Sequence, residues 1–248
     1  MQEKFGPKGL SILAVTDEGA GDTEKWVRNK GAQYAYAYDK GGKLARHFGV
    51  QGIPHAVLVD ATGTVVWKGH PGALEERTLE QALTGALAKP LYDWSAAAAG
   101  AKSAFVKHNY KAALEQAGKL GEGDGGPEIV KAIQAVVSAN VESMKAAHEK
   151  GDFLGARSRA TELSKDLVGL PELATATQML ADIAANKDAA SVIKGQEKVA
   201  KFRSGKLSKR KEVQAAMESL QKLAKEYSGT YAEKEANELI RELGERQM

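Results

Sequence analysis

The sequence predicts two regions of different fold class, an α/β domain over residues 1–90 and an all-α domain over residues 91–248. Up to about residue 90, short β-branched runs alternate with helical stretches, which is typical of an α/β domain. From Asp93 onward no segment has the pattern of a strand, and Ala, Leu, Lys and Glu recur at helical spacing. A chain of 248 residues is long enough to bury one large core or two modest ones.

The first half of the α/β domain is predicted from apolar runs separated by turn residues. Leu10 to Thr16 is an apolar run of strand length, and we expect a buried parallel strand there. Asp22 is the expected N-cap of a helix that stops at Gly31. A second strand is predicted over Gln33 to Tyr38 and a short helix over Lys43 to Phe48.

The second half of this domain is predicted to be a hairpin followed by a closing helix. Ala56 to Val59 and Thr64 to Trp67 flank the turn Asp60 to Gly63, and we expect one buried and one half-buried strand. A helix is predicted from about Leu74 to Leu87. This order of elements predicts a mostly parallel sheet with an antiparallel edge.

The all-α domain is predicted to contain roughly seven or eight helices in antiparallel hairpins. Pro127 and Pro171 are expected at helix starts, and Thr230 with Glu233 fits a capping box for the last helix. The breaks between the helices are expected at glycines, near Gly121 to Gly126, Gly151, Gly169, Gly205 and Ser228 to Gly229.

One short pattern recurs within the helical domain. A polar residue, an aromatic residue and an alanine three positions further on occur twice, at Asn109, Tyr110 and Ala113 and at Asp152, Phe153 and Ala156. This resembles the start of the second helix of a tetratricopeptide-like hairpin, but that family repeats at about 34 residues and positions 109 and 152 are further apart. An irregular helical bundle explains the pattern equally well.

Composition and motifs argue against several classes of function. A formal net charge of +3, from 35 basic and 32 acidic residues, gives no support for nucleic-acid binding, and we interpret Lys206 to Lys211 as a solvated helix start. No window reaches the roughly 18 to 20 apolar residues of a membrane span, and Met1 to Phe5 is unlike a signal peptide. A phosphate-binding loop, a nucleophile elbow and an acid–base pair of carboxylates are absent from the sequence pattern.

The chain contains no cysteine. Disulfides, thiolate metal sites and a cysteine nucleophile are therefore excluded within these residues. His47, His108 and His148 show no metal-ligand spacing with one another or with acidic residues, so no metal site is predicted. No cofactor is predicted either.

The segment from Phe48 to Gly72 carries a distinctive order of glycines, one proline and β-branched residues. It resembles the C-terminal half of thioredoxin-like domains in the TlpA-like and redoxin branch of thiol–disulfide oxidoreductases. The matching residues are Gly49, Val50, Gly52, Ile53, Pro54, Val57 to Asp60, Gly63, Val65 to Trp67 and Gly69.

The resemblance implies a site for a protein or peptide partner. In that family the proline in the position of Pro54 is cis, begins a central strand and packs against the redox cysteines, so we expect a cis Ile53–Pro54 bond. The backbone of Ile53 would pair with an extended substrate segment, and His55 would line the same groove. Ile53, Pro54 and His55 are thus the candidate substrate-binding residues, and no catalytic residue is predicted.

The resemblance also implies what these residues lack. The family's Cys-x-x-Cys pair lies at the start of the helix before Leu10 to Thr16, in a place that precedes Met1. The strand before that helix would lie between Leu10 to Thr16 and Ala56 to Val59, whose edges would otherwise stay unpaired. Three outcomes are open: the two strands pair directly, another chain donates a strand, or the sequence is a truncated copy of a longer protein. Of these we expect truncation.

The sequence leaves two functions open. The resemblance implies an oxidoreductase family, in an exported or cell-envelope setting, whose thiol–disulfide exchange this cysteine-free chain cannot perform alone. The alternative is a non-catalytic binding module in which the groove at the proline and the helical region contact a protein partner.

Overall fold

A computed structural model describes residues 1–31, 34–50, 52–87, 94–204 and 210–245. The chain divides into two units, of which the first comprises Met1–Val106 and Ala112–Ala139 and the second comprises Lys107–Lys111 and Asn140–Met248. The predicted domain boundary between residues 90 and 91 lies outside the described residues, and the division into 1–90 and 91–248 stays a prediction.

Four strands and twelve α-helices occur in the described residues. The strands are β1 (Leu13–Thr16), β2 (Ala35–Tyr38), β3 (Ala56–Val59) and β4 (Val65–Gly69). The helices up to residue 117 are α1 (Gln2–Phe5), α2 (Ala20–Lys30), α3 (Lys43–Phe48), α4 (Glu76–Ala82), α5 (Ala99–Val106) and α6 (Tyr110–Ala117). The remaining helices are α7 (Gly126–Glu149), α8 (Phe153–Asp166), α9 (Leu173–Ala185), α10 (Lys187–Ser204), α11 (Arg210–Glu226) and α12 (Tyr231–Glu245).

The strands form two separate ladders and not the single mixed sheet that the sequence predicts. β1 and β2 are parallel, with Leu13 opposite Ala35, whereas β3 and β4 are antiparallel, with Ala56 opposite Gly69. Within the described ranges no strand joins β1 to β3, and these two strands do not pair with each other. The outer edge of each therefore keeps backbone N–H and C=O groups without a strand partner.

The prediction of a buried strand over Leu10 to Thr16 is wrong in two respects. The strand begins only at Leu13, and the side chains of Leu13 and Val15 are 56% and 44% exposed. A parallel strand becomes buried when further layers cover both of its faces. Leu13 and Val15 lie on the same face of β1, and their exposure shows that this face is open to solvent.

Two helix boundaries also differ from the predictions. α2 begins at Ala20, so Gly19 occupies the N-cap position and Asp22 lies inside the first turn. The predicted stop at Gly31 is confirmed, because this glycine closes the helix in the left-handed conformation with φ of 61°. The helix predicted to continue to Leu87 ends at Ala82.

The apolar core around β3 is small and includes residues of α1 and α4. Phe5, Leu58, Leu79 and Ala82 are all buried and contact one another. Leu10, Leu74 and Leu83 and the ring of Trp67 pack around this group as partly buried neighbours. β3 is thereby fixed through Leu58 to the inside of the first unit.

The region after residue 93 is helical throughout its described part, as predicted. It contains eight α-helices, within the range expected from the sequence. Positive φ angles at Gly125, Gly151, Gly169 and Gly229 mark the predicted breaks, while Gly205 and the predicted basic run through Lys209 lie outside the described residues.

The start of α12 differs from the predicted capping box. The Glu233 carboxylate accepts from the backbone N–H of Gly229 at 2.7 Å. The Thr230 hydroxyl donates backwards to the carbonyl oxygen of Tyr227 at 2.7 Å and so does not cap the helix. In a capping box Glu233 would accept from the backbone N–H of Thr230, whereas here it accepts from that of the preceding residue, Gly229.

The recurring polar–aromatic–alanine pattern coincides with helix starts in the structure. Tyr110 begins α6 and Phe153 begins α8, and both following alanines, Ala113 and Ala156, are fully buried. Whether these helices form tetratricopeptide-like hairpins stays a prediction.

Candidate peptide-docking site

The loop between α3 and β3 carries the three candidate substrate-binding residues. The side chain of Ile53 is 93% exposed, Pro54 is exposed, and His55 is half-buried at the start of β3. The Ile53–Pro54 peptide bond is cis. An isoleucine with nearly all of its surface in water gains no burial energy in the isolated chain.

One side of this loop is positioned by the hairpin that follows it. Ala56 lies opposite Gly69 in the β3–β4 ladder, and Leu58 anchors β3 in the core. Gly69 has a φ of 155°, and a Cβ atom there would lie 3.3 Å from the ring of Trp67. The hairpin thus fills one edge of β3, while the other edge has no strand partner among the described residues.

The other side of the loop is positioned through α3 and a buried carboxylate. Asp39, only 6% exposed, accepts hydrogen bonds from the backbone N–H groups of Leu44 at 3.0 Å and Ala45 at 2.9 Å. The backbone N–H of Asp39 donates to the carbonyl oxygen of Thr16 at 2.8 Å. The start of α3 is therefore tied to the ends of β1 and β2, and Gly49 closes the helix four residues before Ile53.

Replacing Asp39 by asparagine is expected to destabilise the first unit at neutral pH. Hydrogen bonds from Ala45 and then Leu44 lower the pKa of the Asp39 carboxyl below its ordinary value. A carboxyl with a lowered native pKa stabilises the fold above its unfolded-state pKa, and this stabilisation is lost as the pH falls through the native pKa. Urea unfolding followed by tryptophan emission should show a deficit for Asp39→Asn at about pH 7 that shrinks towards about pH 3.

The matched control is Asp22→Asn, which removes an exposed carboxylate from the first turn of α2. If both variants lose the same stability at neutral pH, the carboxylate of Asp39 does not hold α3.

The imidazole of His55 is only half-buried, but one of its two ring nitrogens is withdrawn from solvent. Its Nε2 atom is shielded from solvent and has no hydrogen-bond partner in the described part of the chain. A ligand arriving from solvent does not reach this nitrogen unless the ring or the loop moves. The predicted place of His55 beside the groove remains a prediction.

Two other histidines have local structural partners. The Nδ1 atom of His70 accepts from the backbone N–H of Gly72 at 3.1 Å and caps a short 3₁₀ turn. The Nδ1 atom of His108 lies 3.1 Å from Oδ2 of Asp166, in a residue whose φ of 57° is unusual for a side chain other than glycine. The His108–Asp166 contact has no signal in the sequence pattern, because the two residues are far apart in the chain.

A shallow groove of about 370 Å³ lies between α2 and β2. Burial, together with the nearby Tyr34, raises the pKa of the Tyr36 hydroxyl in its wall. The sequence pattern marks the tyrosines of this segment only as strand residues and does not indicate the groove. The groove is lined by Thr23, Glu24, Val27, Arg28, Tyr36 and Tyr38.

Membrane-spanning helices and metal-ligand clusters are both absent from the described residues. None of the helices there has the length and apolarity to cross a membrane. No three histidine, aspartate or glutamate side chains come together there in a way that could hold a metal ion.

Comparison with known proteins finds a family match for the N-terminal segment that contains this site. A model of the AhpC/TSA family matches residues 1–68, which include α1, all of β1 to β3 and the loop with Ile53, Pro54 and His55. No curated protein and no solved structure matches the chain. The match covers 68 of 248 residues and supports a relationship of this N-terminal segment to the thioredoxin-like redoxins of the AhpC/TSA family.

Proposed function

We propose that the loop Ile53 to His55 and the open edge of β3 form a docking site for an extended peptide, in a segment related to thiol–disulfide oxidoreductases. We propose further that these 248 residues do not catalyse thiol–disulfide exchange themselves. The observation that carries the proposal is the 93% exposure of Ile53 in the loop before β3, a strand with one edge unpaired among the described residues, in a chain without cysteine.

The docking part rests on what the strand edge offers. An extended peptide that adds to a sheet gains affinity from main-chain hydrogen bonds and specificity from side-chain contacts. Val59, at the far end of β3, is 46% exposed, so apolar side chains lie near both ends of the open edge. A peptide with apolar residues at alternate positions fits this arrangement.

The redox part rests on the chemistry of exchange. A thiolate must attack one sulfur of the disulfide and release the other sulfur as a thiolate. Neither the thioether of methionine nor the hydroxyl of serine does this at neutral pH. The chain therefore holds a peptide without reacting with its disulfides.

Insulin-disulfide reduction with dithiothreitol tests the redox part. We expect the chain to leave the rate at the level of dithiothreitol alone, because it supplies no thiolate. A rate above that level from the purified chain contradicts the proposal. A version extended upstream in its native reading frame is the second arm: activity only there assigns exchange to a longer protein, and inactivity in both favours a binding module.

Replacing Ile53 by glutamate tests the docking part. The probe is carboxymethylated insulin B chain, an extended peptide whose thiols are blocked. Burial of an isoleucine contributes about 1.5–3 kcal/mol, so Ile53→Glu should weaken binding about tenfold or more, at about 1.4 kcal/mol per tenfold. Binding is measured by titration calorimetry or fluorescence anisotropy.

Val168→Glu is the matched control, because Val168 is also strongly exposed, at 61%, and belongs to the second unit. Substitutions at such exposed positions usually change stability by less than about 0.5 kcal/mol, so both variants should fold. Equal loss of peptide affinity in the two variants would place the binding site elsewhere.

The helical region offers a second hypothesis for partner binding. We propose that α6 and α8 are equivalent helices of tetratricopeptide-like hairpins, a fold that commonly presents binding surfaces. The support is the buried alanine at the same position after each helix start, Ala113 and Ala156.

A further inference from the structure

Three helices of the second unit meet at one buried amide. Gln196 of α10 is 1% exposed, and its Nε2 atom donates to Oδ1 of Asp152 at 2.7 Å and to Oε2 of Glu235 at 3.1 Å. Its Oε1 atom accepts from the backbone N–H of Leu154 at 2.9 Å. One side chain of α10 therefore fixes the beginning of α8 and the first turns of α12.

Two carboxyl groups share the donors of that single amide. Asp152 also caps α8 by accepting from the backbone N–H of Gly155 at 2.9 Å. Glu235 has the Gln196 amide as its direct hydrogen-bond partner, and it lies partly buried. When both groups are ionised they repel each other in a setting that water screens poorly.

The charges around Glu235 come from all three helices. Burial raises the pKa of Glu235, the Gln196 hydrogen bond lowers it, Asp152 raises it, Arg203 of α10 lowers it and Glu238 of α12 raises it. Tyr231, in the first turn of α12, has its hydroxyl pKa raised by burial and by Asp152, Glu235 and Glu238, while Arg159 of α8 opposes this. Arg203 is in turn 3.4 Å from an Oε1 atom of Glu242.

We propose that Asp152, Gln196 and Glu235 form a proton-responsive junction that holds α8, α10 and α12 together more firmly in mildly acidic solution than in neutral solution. Protonation of Glu235 removes the repulsion from Asp152, and the carbonyl oxygen of the neutral carboxyl still accepts from Gln196. Protonation thus keeps the hydrogen bonds of Gln196 to α8 and α12 and removes the repulsion between the two carboxylates. This inference does not depend on the proposed docking function.

The direction of the effect follows from proton linkage. A carboxyl whose native pKa is raised binds a proton more readily in the folded unit than in the unfolded chain. Its stabilising effect is complete below the unfolded-state pKa and is lost as the pH rises through the native pKa. The junction should therefore loosen as the pH rises from the unfolded-state pKa of a glutamate, about 4.3, towards neutral pH.

Hydrogen exchange of the full chain, detected by mass spectrometry, tests this at the junction itself. The readouts are peptides that contain the Leu154 amide and the first turns of α12, after correction for intrinsic exchange rates. We expect their protection to fall by up to about tenfold per pH unit, the limit for one titrating group. Glu235→Gln should raise their protection at about pH 7.5 and flatten its pH dependence.

Glu218→Gln is the control, because it removes an exposed carboxylate from the neighbouring helix α11. It should leave the pH dependence of the junction peptides as in the natural chain. The proposal is overturned if Glu235→Gln keeps the natural slope, or if Glu218→Gln flattens it equally. Trp26, Trp67 and Trp94 all belong to the first unit, whereas both substitutions lie in the second. Tryptophan emission therefore checks that the first unit is folded in each variant.

Discussion

Replacing Phe5 by alanine is expected to destabilise the first unit by about 3–5 kcal/mol, the usual cost of removing a buried phenylalanine ring. Phe5 is 1% exposed and belongs to the same buried cluster as Leu58, Leu79 and Ala82. The void would lie directly against β3, because Leu58 is the residue that anchors this strand. The proposed peptide binding at Ile53 should weaken as well, since the loop that carries Ile53 is continuous with β3.

Trp67 provides the measurement, because its ring packs against the same cluster. Urea unfolding followed by tryptophan emission, to which Trp67 contributes, should show a lower midpoint for Phe5→Ala with little change in slope. Val106→Ala, at a position 60% exposed in the same unit, is the control and should stay within about 0.5 kcal/mol of the natural chain. Equal losses in the two variants would mean that the ring of Phe5 is not part of a packed core.

Replacing Gly195 by alanine is expected to destabilise the second unit by about 1–3 kcal/mol, as overpacking usually does. An added Cβ atom would lie 2.8 Å from Cβ of Ala232 and 2.8 Å from Cδ1 of Tyr227. Alanine is the better helix former by about 0.8–1 kcal/mol, so the steric conflict must exceed this gain. The result would show that Gly195 is required for the close approach of α10 to α12.

Gly244→Ala in α12 is the control, because it gives the same gain in helix propensity without a steric conflict. The nearest atom to a Cβ there is Cε of Met217 at 3.9 Å, an ordinary contact distance. This variant should be neutral or more stable by up to about 1 kcal/mol. Thermal unfolding by circular dichroism checks the prediction: Gly195→Ala should lower the Tm, and Gly244→Ala should leave it unchanged or raise it. A lower Tm in both variants contradicts the prediction.

Elements with clear local boundaries could be predicted from the sequence. α3 and β3 have the predicted bounds, since Gly49 ends the helix and the turn at Asp60 ends the strand. The spacing of Ala236, Leu239, Ile240 and Leu243 predicts one buried face of α12; Ile240 is partly buried and the other three are fully buried. In these cases the residues that fix the structure are close neighbours in the chain.

Features that depend on distant residues could not be predicted. Periodicity indicates that Leu13 and Val15 belong to a strand, but the strands and helices that cover a sheet decide whether they are buried. The amide of Gln196 binds carboxylates 44 and 39 positions away, and no local pattern indicates that pairing. The hydrogen bonds that Asp39 accepts at the start of α3 have no local signal either, because its side chain reaches past a turn to the backbone N–H groups of Leu44 and Ala45.

The long helix α7 has a consequence for how the chain unfolds. Its residues up to Ala139 belong to the first unit and those from Asn140 belong to the second, within one continuous helix of 24 residues. Helix formation is cooperative between adjacent residues, so melting of one part of α7 destabilises the hydrogen-bonded turn next to it. We expect calorimetry to record overlapping transitions, and a single Tm would then describe the joined chain and neither unit alone.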